Sequence, residues 1–452
     1  MIVRARTVVT MDGAPIKDGA VRIHRDRIVE VGKFSELVAL PRTIEAKDEV
    51  VDLGENSLLP GLINAHCHLD YTCLRGRIPR QNSFANWIRA INAEKAKLAP
   101  RDYLRSITDG VGEARQFGTS SIVNLEAFPE LIGQVPPTPL RIWWCAELID
   151  VKAPKDIAMQ STRPPIGRTR SVASLPPQNI GEIASRAVRN LKSIPSNCGG
   201  IGLAPHAPFT ASAELYRACE KIAGRDRFLL TTHVAESCEE MEMFCERSGP
   251  LFEFLESLGR PMDDCGANTP LAVFLEKLKE RRPEAGSRAS PSRTGNVNRP
   301  YHLWLIAHLN ELAETDFDLL TKMLQTLSIV HCPRSHAYFG HNPFAFERLD
   351  ALGLNICLGT DSLASNTDFS LFAEMREFRR VHADISAEKI LAMVTVNAAK
   401  AIQSESFLGK IRAGYQADMI AIPAIAMTSS AYESVINFTG EVPWMMVAGE
   451  PA

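Results

Sequence analysis

No apolar run in this 452-residue chain approaches the roughly 20 residues that a membrane-spanning helix needs. Charge of one sign is not in excess either: 50 basic residues stand against 53 acidic ones, a formal net charge of −3. That balance supplies no field for holding nucleic acid or an anionic membrane surface. The ten cysteines include no CxxC pair and no compact framework, so they read as the reduced thiols of a cytoplasmic protein. The opening MIVRARTVVTMDG lacks the apolar core and small-residue cleavage site of a signal peptide. No GxGxxG follows the first strand-like run of the middle region, which removes the main support for a doubly wound dinucleotide-binding sheet.

What remains is ordinary globular material, 45% apolar and 23% charged, with ample substance for a large core. The middle of the chain alternates. Apolar, β-branched runs recur at 62–65, 120–123, 141–145, 201–204, 229–232, 303–307, 327–330 and 354–358. Helical patterns such as SFANWIRAINAEKAKL and SAELYRACEKIAG lie between most of them. Eight short buried strands alternating with helices predict a parallel α/β (β/α)8 TIM barrel over residues 59–405. The two ends read differently. VRARTVVTM, GAVRIHRDRIVEVG and EVVDLGENSLLP at the start, and GKIRAGYQADMIAIP, SVINFTG and VPWMMVAGEPA at the end, are strand-like. They predict one discontinuous β-sandwich domain built from residues 1–58 and 406–452. The stretch 150–179 is rich in Pro, Arg and Ser and reads as a long loop, and 281–300, with five arginines, reads as a mobile insertion.

In such a barrel the reactive groups gather at the C-terminal ends of the strands. Six of the eight runs end in polar residues: His66 and His68, then His206, then His233 and Glu236, then His308, then His331 and His336, and last Asp361. Any one of them reads equally as a core or cap residue. Their recurrence at matching strand ends points to a site. His66 and His68, two apart on a strand, share a face. Imidazoles with one carboxylate suit one divalent metal, Zn²⁺ first and Fe²⁺ second, and a catalytic zinc lowers the pKa of a water from 15.7 to about 7. Beside an acid–base carboxylate, that is the equipment for hydrolysing a polarised carbon–heteroatom bond.

The ordered segments PGLINAHCHLD, HVAES, AHLNE, HCPRS, GTDSLASN and GKIRAGYQADMIAI resemble the amidohydrolase superfamily, within it the branch of metal-dependent deaminases and chlorohydrolases. The resemblance runs nearly end to end. It implies a metal site of His66, His68, His233 and Asp361, with Glu236 as proton shuttle and His308 orienting or polarising the attacking water. Asp361 takes a further proton, and His206 binds the substrate ring or sugar. The stretch HLDYTCLRGRIPRQNSFANWIRAI is similar to the corresponding region of aminofutalosine deaminases. It offers Arg75, Arg77 and Arg80 as partners for an anionic substituent.

The expectation is therefore a hydrolytic deaminase releasing ammonia from an adenine-type ring, as in aminofutalosine or S-adenosylhomocysteine. The alternative is a triazine or other heterocycle chloro- or aminohydrolase. A non-catalytic metal-binding scaffold is the rival of a different class, and Glu236 and His308 speak against it, since metal affinity alone requires neither. The partner is a small heterocyclic or nucleoside substrate, and a homo-oligomer is left open. Where many relatives carry Asn, this chain has His336. The roles of His331, His336 and His341 divide between pocket and loop, while His24, His302 and His382 fit no motif and read as structural.

Overall fold

The computed structural model describes residues 1–39, 49–150, 180–192, 199–279, 303–424 and 430–452. The sequence readings at 151–179 and 281–300, and those of Cys198 and His302, lie outside the described residues.

The N-terminal segment supplies β1 (Ile2–Val8), β2 (Ile16–His24), β3 (Arg27–Lys33), β4 (Val50–Asp52) and β5 (Asn56–Pro60). The alternating region supplies β6 (Leu62–His68), β7 (Thr119–Glu126), β8 (Arg141–Leu148), β9 (Gly200–Pro205), β10 (Leu229–Val234), β11 (Trp304–His308), β12 (Leu327–His331), β13 (Asn355–Leu358) and β14 (Asp361–Ser362). The C-terminal segment supplies β15 (Met419–Pro423), β16 (Trp444–Val447) and β17 (Glu450–Pro451).

Strands β6 to β14 form one parallel sheet, in the order β13-β12-β11-β10-β9-β8-β7-β6-β14. β13 and β14 are two halves of the eighth predicted run, split at Gly359–Thr360. The first half pairs with β12 and the second with β6. Two backbone bonds bridge the break, Gly359 N to the His331 carbonyl at 3.0 Å and Thr360 N to the His66 carbonyl at 3.1 Å. The sheet thus curls back to its first strand, as in a TIM-like barrel. Glycine is needed at the break, because a Cβ on Gly359 would lie 2.7 Å from the His66 carbonyl oxygen.

Period-2 alternation divides the side chains between two layers. Val123 and Leu125, Trp143 and Cys145, Leu305 and Val330 meet inside the curl. Their neighbours Ile122, Ile142, Trp144, Ile306 and Ile329 pack outward against the helices. The helices begin where the sequence offers caps: Ser83 accepts from Asn86 N ahead of Phe84–Lys95, and Ser212 from Leu215 N ahead of Ala213–Asp226.

The terminal strands join in a separate mixed sheet, with β15 lying antiparallel to β5 and β1 pairing β2, β4 and β5. Every terminal strand belongs to this one hydrogen-bonded ladder, where two stacked sheets were expected. One expected strand is absent: SVINFTG lies partly in the helix Ala431–Ile436. The Ser430 side chain caps it by accepting from Glu433 N, Arg379 holds Glu433 at 2.9 Å, and Phe438 beyond it packs on Phe372. The tertiary contacts outweigh the β-branched composition of so short a run.

Candidate active site

Strand regularity breaks where the polar residues gather. Along β6, Ile63 and Ala65 face inward while Leu62 and Cys67 face outward, a parity change produced by an extra residue between the pairs Asn64–Ile122 and Cys67–Asn124. This bulge turns His66 and His68 into the mouth of the sheet. Four further residues have left-handed backbone: Ala235 at φ 54°, His308 at φ 78°, Leu309 at φ 50° and Asp361 at φ 59°. For residues other than glycine such conformations cost on the order of 1–3 kcal/mol and cluster at functional sites.

The result is a compact set of buried side chains. One ligand atom each from His66, His68 and His233 lies within 4.8 Å of the others, and the same holds for Glu236, His308 and Asp361. The two groups touch. Asp361 Oδ1 is 3.7 Å from His66 Nε2 and 3.8 Å from His68 Nε2, and Glu236 Oε2 is 3.7 Å from His308 Nε2. A third group, Glu147, His206 and His233, meets the same distance limit. The sequence-predicted residues His66, His68, His206, His233, Glu236, His308 and Asp361 are therefore brought together.

Their hydrogen bonds leave specific atoms free. His233 Nδ1 meets the His206 carbonyl at 2.8 Å and His206 Nδ1 meets Thr210 Oγ1 at 2.7 Å, so each ring keeps its Nε2. Both ring nitrogens of His66, Nδ1 of His68 and Nε2 of His308 are buried without a partner. Buried polar atoms are seldom left so. Burial, with neighbouring imidazoles, pushes His233 down to about 3, and burial does the same to His206. His68 and His308 are also held well below the ordinary imidazole value by burial. Neutral rings keep lone pairs to donate. Burial alone would raise Asp361, but His66 beside it and the charges of His308 and His68 hold it well below the usual carboxylate range. Burial, then Asp361 and Glu240, push Glu236 well above that range. Lone pairs on three imidazoles and an ionised carboxylate fit a divalent metal, and a carboxyl able to carry a proton stands next to them.

Other predicted residues are placed elsewhere. His331 has the outward parity of Leu327 and Ile329 and stacks on Phe344 at 4.0 Å, in the helix layer. His336 Nε2 meets the Asn342 carbonyl at 2.9 Å, a loop contact. His341 Nε2 is buried without a partner beside Phe339. Arg75 pairs with Glu113 at an exposed position, and Arg77 and Arg80 are exposed, Arg80 reaching towards Gly340. His382 is structural, paired with Glu347 at 2.8 Å.

Several contributing residues escaped the sequence reading. Ser335 Oγ donates to Asp361 Oδ2 at 2.6 Å and meets Ser365 Oγ at 2.9 Å. Tyr71 stacks on His68 and accepts from Lys95 Nζ at 2.5 Å. Glu239 accepts from Phe84 N and Ala85 N, tying the helix Phe84–Lys95 to the helix Cys238–Glu246 that follows β10. Glu147 lies two residues beyond the point where the third predicted run ended. Its inward parity with Trp143 and Cys145 was the available signal.

With this geometry in view, similarity to known proteins becomes informative. The profile of the amidohydrolase family matches residues 57–450. A 5-methylthioadenosine/S-adenosylhomocysteine deaminase of Pyrococcus furiosus is 26% identical over 467 residues, covering 100% of this chain and 94% of its own length. Among solved structures, Helicobacter pylori aminofutalosine deaminase in complex with methylthio-coformycin superposes with a TM-score of 0.78 at 19% identity, over 100% of this chain and 99% of that one. An adenosine deaminase from Xanthomonas campestris with bound zinc gives 0.75 at 21% identity, over 100% and 92%.

Proposed function

Because this chain belongs to the amidohydrolase family and is a hydrolase of carbon–nitrogen bonds, we propose that it releases ammonia from an adenine-type ring, carried by a 5′-modified adenosine such as aminofutalosine or S-adenosylhomocysteine. The observation that carries this reading is the contact of two groups, the imidazoles of His66, His68 and His233 with Glu236, His308 and Asp361. On this reading His66, His68, His233 and Asp361 hold one divalent metal, zinc first. When bound, it supplies a Lewis acid that makes water nucleophilic at neutral pH. The relatives named for adenosine-type substrates support the ring, and the zinc in the Xanthomonas structure supports the metal.

The chain's own residues do the proton work. Glu236, whose carboxylate is made more basic by burial, takes one proton from the attacking water and delivers it to a ring nitrogen. His308 Nε2, free and 3.7 Å from Glu236, orients the water. Asp361 accepts the water's second proton and passes it by way of Glu236 to the departing amine, which leaves as ammonia, and His206 Nε2 faces the ring or sugar. In the same reading residues 59–405 are the closed (β/α)8 barrel. Residues 1–58 and 406–452 are a sandwich made by folding the single mixed sheet, since side chains from β1, β2, β5, β15 and β16 enclose one core.

A panel of aminopurines, nucleosides and pterins assayed for ammonia tests the substrate, with Glu236→Gln as control. The variant should keep its metal and lose turnover by about 10²–10⁴-fold. A loss under tenfold removes Glu236 from this role. Turnover confined to chlorinated or alkylamino triazines replaces the deaminase by the heterocycle hydrolase, and a metal-loaded protein without turnover on any of them favours the scaffold.

A further inference from the structure

Seven carboxylates stand within three residues of the C-terminal ends of the parallel strands. Five of them find donors within the protein, among them Asp70 from Ala127 N and Asp150 from Ser212 N. Glu126 accepts from Phe128 N and Asn124 Nδ2, Asp361 from Ser335 and Ser362 N, and Glu311 from Asn342. Among the described residues, no hydrogen bond reaches the carboxylate of either Glu236 or Glu147. Glu236 is absorbed by the proton work above. Glu147 is not.

Its position is specific. Glu147 follows Trp143 and Cys145 on the inward parity of β8, and β8 pairs it with Ala204, two residues before His206. Its carboxylate lies within 4.8 Å of the ligand atoms of His206 and His233, a grouping that does not include Glu236. It is only half-buried, beside rings that are themselves at the site. A free carboxylate offers acceptors only and cannot donate. The ligand atom it meets must therefore carry a hydrogen.

Resting on the deaminase reading, we propose that Glu147 is a specificity-determining residue. It accepts hydrogen bonds from a donor on the non-reacting edge of the substrate, a sugar hydroxyl or a ring-borne amino group, next to His206. Both sources present the same chemistry to the carboxylate. Glu147 neither holds the metal nor moves a proton. Its contribution is to the binding of substrates that bear the donor.

The test uses the zinc-loaded enzyme and its Glu147→Gln and Glu147→Ala variants. Adenosine is compared with 2′,3′-dideoxyadenosine, and 2,6-diaminopurine with adenine, by ammonia release. Equilibrium dialysis of inosine and 2′,3′-dideoxyinosine adds a readout independent of turnover. For whichever pair supplies the donor, the wild type should prefer the donor-bearing member by about ten- to a hundredfold in kcat/KM, through KM. The variants should lose that preference while kcat and metal content hold. A preference in the nucleoside pair identifies the sugar hydroxyls, and one in the base pair identifies the ring amine. Equal losses on all four substrates overturn the proposal, and so does loss of metal from the variants, which would make Glu147 a ligand. Absence of turnover by the wild type on every aminopurine rejects the deaminase reading itself and this inference with it.

Discussion

Replacing Ser335 by Ala removes one hydroxyl and tests how Asp361 is held. That hydroxyl donates to Asp361 Oδ2 at 2.6 Å, while Oδ1 receives Ser362 N at 2.7 Å and faces His66 and His68. Both Ser335 and Asp361 are buried, so no bulk water replaces the lost donor. A hydrogen bond to a charged group contributes about 1.5–3 kcal/mol. At 1.36 kcal/mol per decade this is about one to two orders of magnitude in an equilibrium constant. Loss of a partner that orients a metal ligand falls in the same range of about 10–100-fold. Ser335→Ala should therefore weaken zinc binding by about ten- to a hundredfold, read by competition with a chelator of known affinity at fixed pH. Ser365 touches Ser335 at 2.9 Å and the Ser362 carbonyl at 3.3 Å but not Asp361, so Ser365→Ala loses only neutral bonds of about 0.5–1.5 kcal/mol each, one step removed. Unchanged affinity in Ser335→Ala, or a larger effect at Ser365, would refute this account of the carboxylate.

Changing His66, His68, His233 or Asp361 to Ala should each remove the metal, and elemental analysis showing full retention in two of the four would disprove the assignment. Gly359→Ala places a Cβ 2.7 Å from the His66 carbonyl and 2.9 Å from its Cβ. It should lower stability by at least the ~1–3 kcal/mol of an overpacked core, and an unshifted thermal midpoint would contradict the close approach of the two strands. Burial raises the Asp264 carboxyl, but Arg260 at 2.7 and 2.8 Å and Lys277 at 3.0 Å outweigh it and hold the group below its ordinary value. A depressed folded-state pKa stabilises above the unfolded value and is lost as pH falls through the folded one. Asp264→Asn should thus cost about 2 kcal/mol near neutral pH, a buried-pair figure of ~3–5 reduced for partial exposure. The gap to the wild type should narrow on acidification, and urea titrations showing an equal gap at both ends would exclude it.

The eight strands were legible because parallel strands buried on both faces carry nearly continuous apolar runs; six runs fall within observed strands, and those at 303–307 and 354–358 begin one residue before theirs. The types of the site residues were legible for the same reason: a polar side chain that ends such a run stands out. Direction was less so. His331 ends its strand as His68 and His308 end theirs, yet points into the helix layer because it has the parity of Leu327 and Ile329. Glu147 was passed over because the third run ends at Cys145, three positions before the strand itself ends at Leu148. The strand-like SVINFTG became largely helix and turn because Ser430, four residues upstream, starts a helix that Arg379 and Phe372 then hold.

Periodicity fails at the site for a structural reason. It assumes that each residue continues the backbone of the one before, and here that assumption is broken by the bulge in β6 and by the left-handed residues Ala235, His308, Leu309 and Asp361. Each departure would relax if the surroundings allowed it, so the surroundings must hold it. Leu309 N bonds to the Val234 carbonyl, Asn310 N and Glu311 N both bond to that of Ala235, and the Asn310 side chain donates to the Glu236 carbonyl. Thr360 N donates to Asn64 Oδ1, and Asn64 Nδ2 donates to Thr360 Oγ1, clamping the bulged strand to the break before Asp361. Asn64, Ser335 and Asn310 touch no predicted ligand atom except through Ser335, yet they set the angles at which imidazole and carboxylate meet. A chain with the same histidines and without these amides and hydroxyls would keep the ligand types and lose their convergence.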